Sequence, residues 1–320
     1  MTLPTAATAG QNDAIAVTPM TLHIGAEISG IDLGQPLAEA VRDGIRDALV
    51  KWKVIFFRDQ HLDHARHVAL ARQLGRPTIG HAVFGHVEGF PEIYSVAKSR
   101  TANSNRAERL TTPWNGWHTD ITAAVNPPMA SILRGVTIPP FGGDTMWTNL
   151  AVAYDALSAP LKQFVEGLRG IHAFDPPQGT KSDGDYGKSV KRRALKTEHP
   201  LVTVHPESGE RLLFISPSFL KSIVGLSPRE SQRILELLWE HLVRPEFTVR
   251  FKWRAGDIAM WDNRATAHLA PNDIFSSDLD RQLYRITLVG DIPHGVDGTP
   301  SKSLAGAPIL SAEEELANHA

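Results

Sequence analysis

The chain has 320 residues, 42% of them hydrophobic and 21% charged, with a formal net charge of -2. This is the composition of an ordinary globular protein with chain enough for one large domain or two small ones, and so small a net charge makes no general electrostatic case for nucleic acid or an anionic membrane. There is no cysteine, which excludes disulfides, thiolate metal sites and cysteine nucleophiles.

Residues 1–18, rich in Ala, Thr and Gly, read as a mobile N-terminal arm. They lack the basic start and apolar core of a secretory signal, and no apolar run approaches the length of a membrane span, so cytoplasm is the default expectation. From Met20 to Leu33 apolar residues alternate with polar ones and Gly, which predicts two short strands and a turn. Leu37, Val41, Ile45 and Leu49 then recur every four residues in an amphipathic helix with Pro36 in its first turn. Val54 to Phe57 (VIFF) reads as a buried strand, and a second helix runs from His64 to Leu74 and stops at Gly75.

Between Arg76 and Pro113 the pattern dissolves into Pro, Gly, Asn, Ser, Thr and Arg, with only Glu92 to Val96 strand-like. A stretch this long without structure is commonly functional, so the part from about 97 to 113 is expected to be a lid. Beyond it lie short β-prone segments: Ala130 to Leu133, Thr145 to Thr148, Gly170 to Phe174, Leu201 to His205, Leu212 to Ile215, Phe247 to Trp253, Ile258 to Trp261 and Ile286 to Gly290. Helices interrupt them at Leu157 to Leu168 and Pro228 to Leu242, the latter with Ile234, Leu237, Leu238 and His241 on one stripe. A polar, basic insertion is expected at about 178–197 and a C-terminal tail at 311–320, with a single domain over 19–310. Many short strands with turn signals predict a mainly β fold with flanking helices around a jelly-roll, or double-stranded β-helix, core.

The segment Trp114 to Met129 (WNGWHTDITAAVNPPM) carries the chemistry. On an extended backbone His118 and Asp120 face the same way and offer an imidazole nitrogen and a carboxylate oxygen to one ion, two of the three ligands of a facial ferrous site. The aromatic, Thr and Ile residues around them favour a strand. A second His-x-Asp, His61-Leu62-Asp63, is set aside because Asp63 stands where a helix N-cap belongs. A barrel brings remote strands together across its interior, and His268 in DIAMWDNRATAHLAP is the candidate third ligand.

Four motifs in order, WHTD at 117–120, GGDTMWTN at 142–149, WDNRATAH at 261–268 and YRITLVGD at 284–291, resemble the iron(II)- and 2-oxoglutarate-dependent dioxygenases of the taurine dioxygenase family. TEHPLVTVHPESGER at 197–211 and LAGAP at 304–308 are most similar to its alkylsulfatase branch. The resemblance implies iron(II), 2-oxoglutarate and dioxygen as cofactor and co-substrates, with His118, Asp120 and His268 as both metal-binding and catalytic residues. It further implies that Arg285 grips the far carboxylate of 2-oxoglutarate with Thr145, and that Arg281 is a second arginine near the co-substrate.

In the taurine enzymes a histidine, a tyrosine and an asparagine hold the small zwitterion. Here His81 is kept, but Phe84 stands in the tyrosine's place and Trp114 near the asparagine's. Buried charges without polar partners are costly, which argues against taurine and for a larger, apolar molecule with one acidic group. Its expected walls are His81, Phe84, Trp114, Phe174 and one of Phe214 or Phe219. The expected substrate is an alkyl sulfate ester, with an aryloxyalkanoate or another hydrophobic carboxylate as the alternative. A non-catalytic metal- or 2-oxoglutarate-binding sensor is the alternative of a different class. No nucleic acid or membrane partner is expected, and a homo-oligomer, dimer or tetramer, is.

Overall fold

The computed structural model describes residues 15–81, 85–97, 112–174 and 194–318. In chain order these form β1 (Ala16–Pro19), β2 (Ala26–Ser29), α1 (Glu39–Trp52), β3 (Val54–Phe57), α2 (His64–Leu74), β4 (Tyr94–Ala97), β5 (Ala130–Thr137), β6 (Thr145–Asn149), α3 (Leu150–Asp155), α4 (Ala159–Glu166), β7 (Arg169–Ala173), β8 (Lys196–Pro200), β9 (Val202–Val204), β10 (Arg211–Leu213), β11 (Leu220–Ile223), α5 (Pro228–Leu242), β12 (Thr248–Phe251), β13 (Ile258–Asp262), β14 (Thr266–Leu269), β15 (Gln282–Leu288), β16 (Lys302–Ala305) and α6 (Ala312–Ala317).

Two sheets face each other. One has seven strands in the order β1-β2-β3-β13-β5-β15-β4, and the other three in the order β12-β6-β14. Between them lies an apolar layer of Val54 and Phe56 from β3, Leu133 from β5, Trp147 from β6, Val249 and Phe251 from β12, Trp261 from β13 and Leu283 from β15. Phe56 and Phe251 stack with ring centroids 4.0 Å apart across it. The alternate residues of the large sheet, among them Ile55, Phe57, Ile132, Met260 and Ile286, point the other way into a second layer closed by α1 and α2. That is why VIFF is apolar throughout: successive side chains face opposite sides, and both sides are covered. This is the expected jelly-roll core with flanking helices.

Several local expectations differ in detail. The expected arm at 1–18 overlaps β1, since Ala16–Pro19 pairs antiparallel with Ala26–Ser29; its first 14 residues lie outside the described residues. Pro36 lies before α1 and not in its first turn; Leu37 donates its N–H to Gln73 Oε1 of α2 at 2.6 Å, and winding begins only after Ala38. On α5 the buried line is Ser231, Leu235, Leu238 and Leu242, with Leu237 exposed, so the packed face is rotated from the predicted stripe. The tail at 311–320 contains α6, started by a capping box between Ser311 and Glu314. Most of the expected lid and insertion, residues 98–111 and 175–193, lies outside the described residues.

Candidate active site

The segment carrying His118 and Asp120 is not a strand. His118 makes one antiparallel bridge with His268 of β14, the two exchanging backbone bonds of 2.9 and 2.7 Å. Thr119 faces the opposite way and fastens the segment from behind: its N–H donates to Ser216 Oγ at 3.1 Å and its hydroxyl to the Thr266 carbonyl at 2.7 Å. One alternation therefore suffices to aim both ligands forward. At Ile121 the chain turns with φ of 47°, a left-handed conformation that costs a β-branched residue about 1–3 kcal/mol.

Ligand atoms from His118, Asp120 and His268 lie within 4.8 Å of one another. Asp120 Oδ1 is 4.0 Å from His118 Nε2 and 3.9 Å from His268 Nε2. Nδ1 of His118 meets the Gly116 carbonyl at 3.0 Å. A carbonyl only accepts, so Nδ1 carries the proton and Nε2 keeps its lone pair. Gly116 turns that carbonyl inward at φ of +83°, and a Cβ there would meet Leu269 at 2.9 Å. Burial above all holds the His268 imidazole well below its ordinary pKa despite Asp120, so it too is a neutral donor. Burial pushes the Asp120 carboxyl up, but the Arg285 guanidinium above all, helped by the Ser131 hydroxyl, outweighs it and holds the group well below the usual carboxylate range. Two neutral imidazoles and one ionised carboxylate on one side of a buried site are the donor set of a facial metal centre with open positions.

Around this centre the two arginines separate. Arg285 Nη1 donates to Asp120 Oδ1 at 2.5 Å, and its guanidinium lies 5.3 Å from the Tyr94 ring. Arg281 is buried: its Nε donates to the Gly143 carbonyl at 2.8 Å and its Nη2 approaches Thr145 Oγ1 at 3.4 Å. Trp253 Nε1 also donates to that hydroxyl, at 3.0 Å. Gly143 is required there, since a Cβ would lie 2.8 Å from Arg281 Cδ. The sequence expectation joined Thr145 to Arg285; in the structure the hydrogen bond to Thr145 comes from Arg281, and Arg285 reaches Asp120 instead.

Of the expected substrate residues, His81 lies tilted against Tyr94 with centroids 4.8 Å apart, which carries it to within one ring of Arg285. Trp114 is half-buried, 6.2 Å from the Trp239 ring. Phe174 and Phe219 stack on each other at 6.1 Å. Phe214 is enclosed in the core, stacked on His172 at 5.7 Å and edge-on to His199 at 5.3 Å. Phe84 lies outside the described residues. Tyr94, Ser131 and Asn263 were not anticipated; Asn263 stands inside the quoted WDNRATAH motif, and the other two sit in apolar strand runs where they read as core. A cavity of about 170 Å³ bordered by Pro127, Pro128, Phe214 and Asn263 contains none of the ligands, so donor chemistry and not cavity size locates the site.

The sequence model described as "Taurine catabolism dioxygenase TauD, TfdA family" matches residues 16–287. The chain is 40% identical to an alpha-ketoglutarate-dependent sulfate ester dioxygenase of Pseudomonas putida, over 90% of this chain and 93% of that protein. It is 38% identical to an alkylsulfatase of Acinetobacter baylyi, over 92% and 91%. The crystal structure of a taurine dioxygenase from Burkholderia xenovorans is 60% identical, superposes with a TM-score of 0.82, and covers 92% of this chain and 96% of that one. Together with the His-Asp-His centre, the match over most of the chain places this protein in the TauD/TfdA family of non-haem iron(II)- and 2-oxoglutarate-dependent dioxygenases.

Proposed function

We propose that the enzyme oxidises alkyl sulfate esters at the carbon bearing the sulfate. Support comes from the likeness to the sulfate ester dioxygenase and the alkylsulfatase along nearly the whole chain. His118, Asp120 and His268 would hold iron, which with 2-oxoglutarate and dioxygen would supply the oxidant for a substrate C–H bond, succinate and carbon dioxide being the other products. Hydroxylation at that carbon gives an unstable product that collapses to aldehyde and sulfate.

In this reading Arg281 and Thr145 take the far carboxylate of 2-oxoglutarate, because a buried guanidinium beside a hydroxyl is a matched carboxylate receptor. Arg285, His81 and Tyr94 form the polar side nearer the iron, where the anionic end of the substrate approaches. Trp114, Phe174 and Phe219 take the alkyl chain. A dimer or tetramer working in the cytoplasm belongs to the same proposal. Among the described residues no helix is long and apolar enough to cross a membrane.

A panel of alkyl sulfates of increasing chain length, taurine, other sulfonates and phenoxyacetates, scored for succinate and for released sulfate, tests the assignment. Best turnover is expected on a medium or long alkyl sulfate with sulfate released in step with succinate. Preference for taurine or a phenoxy acid would reassign the substrate and leave the iron chemistry in place.

A further inference from the structure

We infer that Ser131 and Asn263 are positioning residues that restrict Asp120 to one metal-binding oxygen, keeping open a coordination position that the reaction needs. The two carboxylate oxygens have different surroundings. Oδ1 faces Nε2 of His118 at 4.0 Å and of His268 at 3.9 Å, and also receives Arg285. Oδ2 points away and accepts the Ser131 hydroxyl at 2.7 Å.

That hydroxyl has no freedom to turn elsewhere. Asn263 Nδ2 donates to Ser131 Oγ at 2.9 Å, so the serine proton is directed to Asp120. The Asn263 amide is itself fixed, because its Oδ1 accepts from Trp261 Nε1 at 2.8 Å and an indole N–H can only donate. The chain of donors therefore runs one way, from Trp261 through Asn263 and Ser131 to Asp120. None of the four residues is more than 3% exposed, so water cannot substitute for a broken link. The backbone fixes the spacing as well: Ser131 of β5 is the register partner of Trp261 of β13, and the Asn263 N–H donates to the Met129 carbonyl at 2.9 Å.

For Asp120 to give both oxygens to the metal, Oδ2 must turn toward it and away from the best alignment with the Ser131 hydroxyl, which weakens a buried chain of bonds that no other group can complete. The facial triad leaves three positions, two for 2-oxoglutarate and one for dioxygen. A second carboxylate oxygen would occupy one of them. The relay thus works against two-oxygen binding, and it bears on co-substrate capture more than on the metal itself. It rests on the metal centre and is independent of which substrate is oxidised.

Calorimetry on the full chain with Mn(II), then with the co-substrate analogue N-oxalylglycine, tests it. Ser131→Ala is expected to weaken N-oxalylglycine binding to the Mn(II)-loaded protein by about 10-fold, the scale of one lost hydrogen bond to a charged group, with Mn(II) affinity changed by less. Ser131→Thr, which keeps the hydroxyl, is expected to restore the analogue's affinity. A purely structural serine would lower the melting temperature and weaken both ligands in parallel, and that result overturns the assignment. So does an N-oxalylglycine affinity within twofold of the parent. Should Ser131→Ala not yield folded protein, Asn263→Ser carries the same expectation and the same refutation. Failure of the parent to bind Mn(II) would remove the metal centre, and the relay with it.

Discussion

Arg281 and Arg285 lie four positions apart, but Arg281 precedes β15 and the β15–β5 register shifts between Gln282 and Leu283, and their neighbours differ: Gly143 and Thr145 for the first, Asp120 and Tyr94 for the second. Spacing alone could not say which arginine pairs with Thr145, because a shift of strand register has no signature in sequence. The hydrogen bonds lead to a direct comparison. Arg281→Ala should weaken 2-oxoglutarate binding to the Mn(II)-loaded protein more than Arg285→Ala does, by an amount on the order of 2–5 kcal/mol for removal of one buried partner of a charge-assisted pair. The opposite ranking in a calorimetric titration would restore the assignment made from sequence. The three metal ligands were legible because the motifs around them are dense in sequence. Ser131 was not, since a serine within an apolar strand is indistinguishable from core packing until its partner is seen. Asp120→Ala or His268→Ala should abolish turnover in folded protein, checked by succinate formation alongside circular dichroism; residual iron-dependent decarboxylation would take that residue out of the site.

Elements with strong periodicity or clear punctuation were readable in the sequence. α2 begins and ends where Asp63 and Gly75 indicated, and Asp63 caps it by accepting the Arg66 N–H at 2.8 Å. Asp63→Ala should lower stability by about 1 kcal/mol, the usual cost of losing such a cap; an unchanged urea midpoint would show the bond contributes nothing. Less regular elements stayed hidden for physical reasons. β8 (KTEHP) looks like polar loop, but Thr197 and His199 are fully buried and their polar atoms are satisfied inside, His199 by Ser301 at 2.6 Å and by the Thr122 carbonyl at 2.8 Å. α3 is six residues long, too short for a helical period, and is started by Asn149, which accepts from the N–H groups of Ala151 and Val152. The ligand segment at 118–120 departs from the strand its composition suggested, since only His118 finds a backbone partner, on β14.

Across the whole molecule, buried neutral histidines tie stability to pH. Burial first, then neighbouring positive groups, pushes His67 down to about 3 and holds His172 well below its ordinary value. Burial also lowers His199 to about 4, although backbone carbonyls oppose it. Unfolding releases all three to bind protons near pH 6.5, so the unfolded chain takes up protons that the folded one refuses, and stability must fall as pH drops from about 6.5 toward 4. The slope is about 1.4 kcal/mol per pH unit for each histidine. In the metal-free chain His268, held neutral by the same burial, adds to them, so urea midpoints measured between pH 7 and 4.5 should fall steeply with an uptake of about three to four protons; a flat profile would mean these rings are charged or solvated in the native state.

The order of strands in the large sheet bears on how the enzyme is made. β3 lies against β13, β13 against β5, β5 against β15, and β15 against β4; in this central run no spatial neighbours are neighbours in the chain. As a ribosome extends the polypeptide, β3 emerges two hundred residues before β13, a wait of roughly 10–40 s at ordinary synthesis rates. Throughout that interval VIFF has β2 along one edge and α1 and α2 over one face, but its other edge lacks β13 and its other face lacks β12. Long-range pairing of this kind also makes folding slow. His268 and both arginines emerge later still, so the three ligands can hold iron together only after β14 has left the ribosome, and a chain terminated before it is an aggregation hazard with no partial activity to offer.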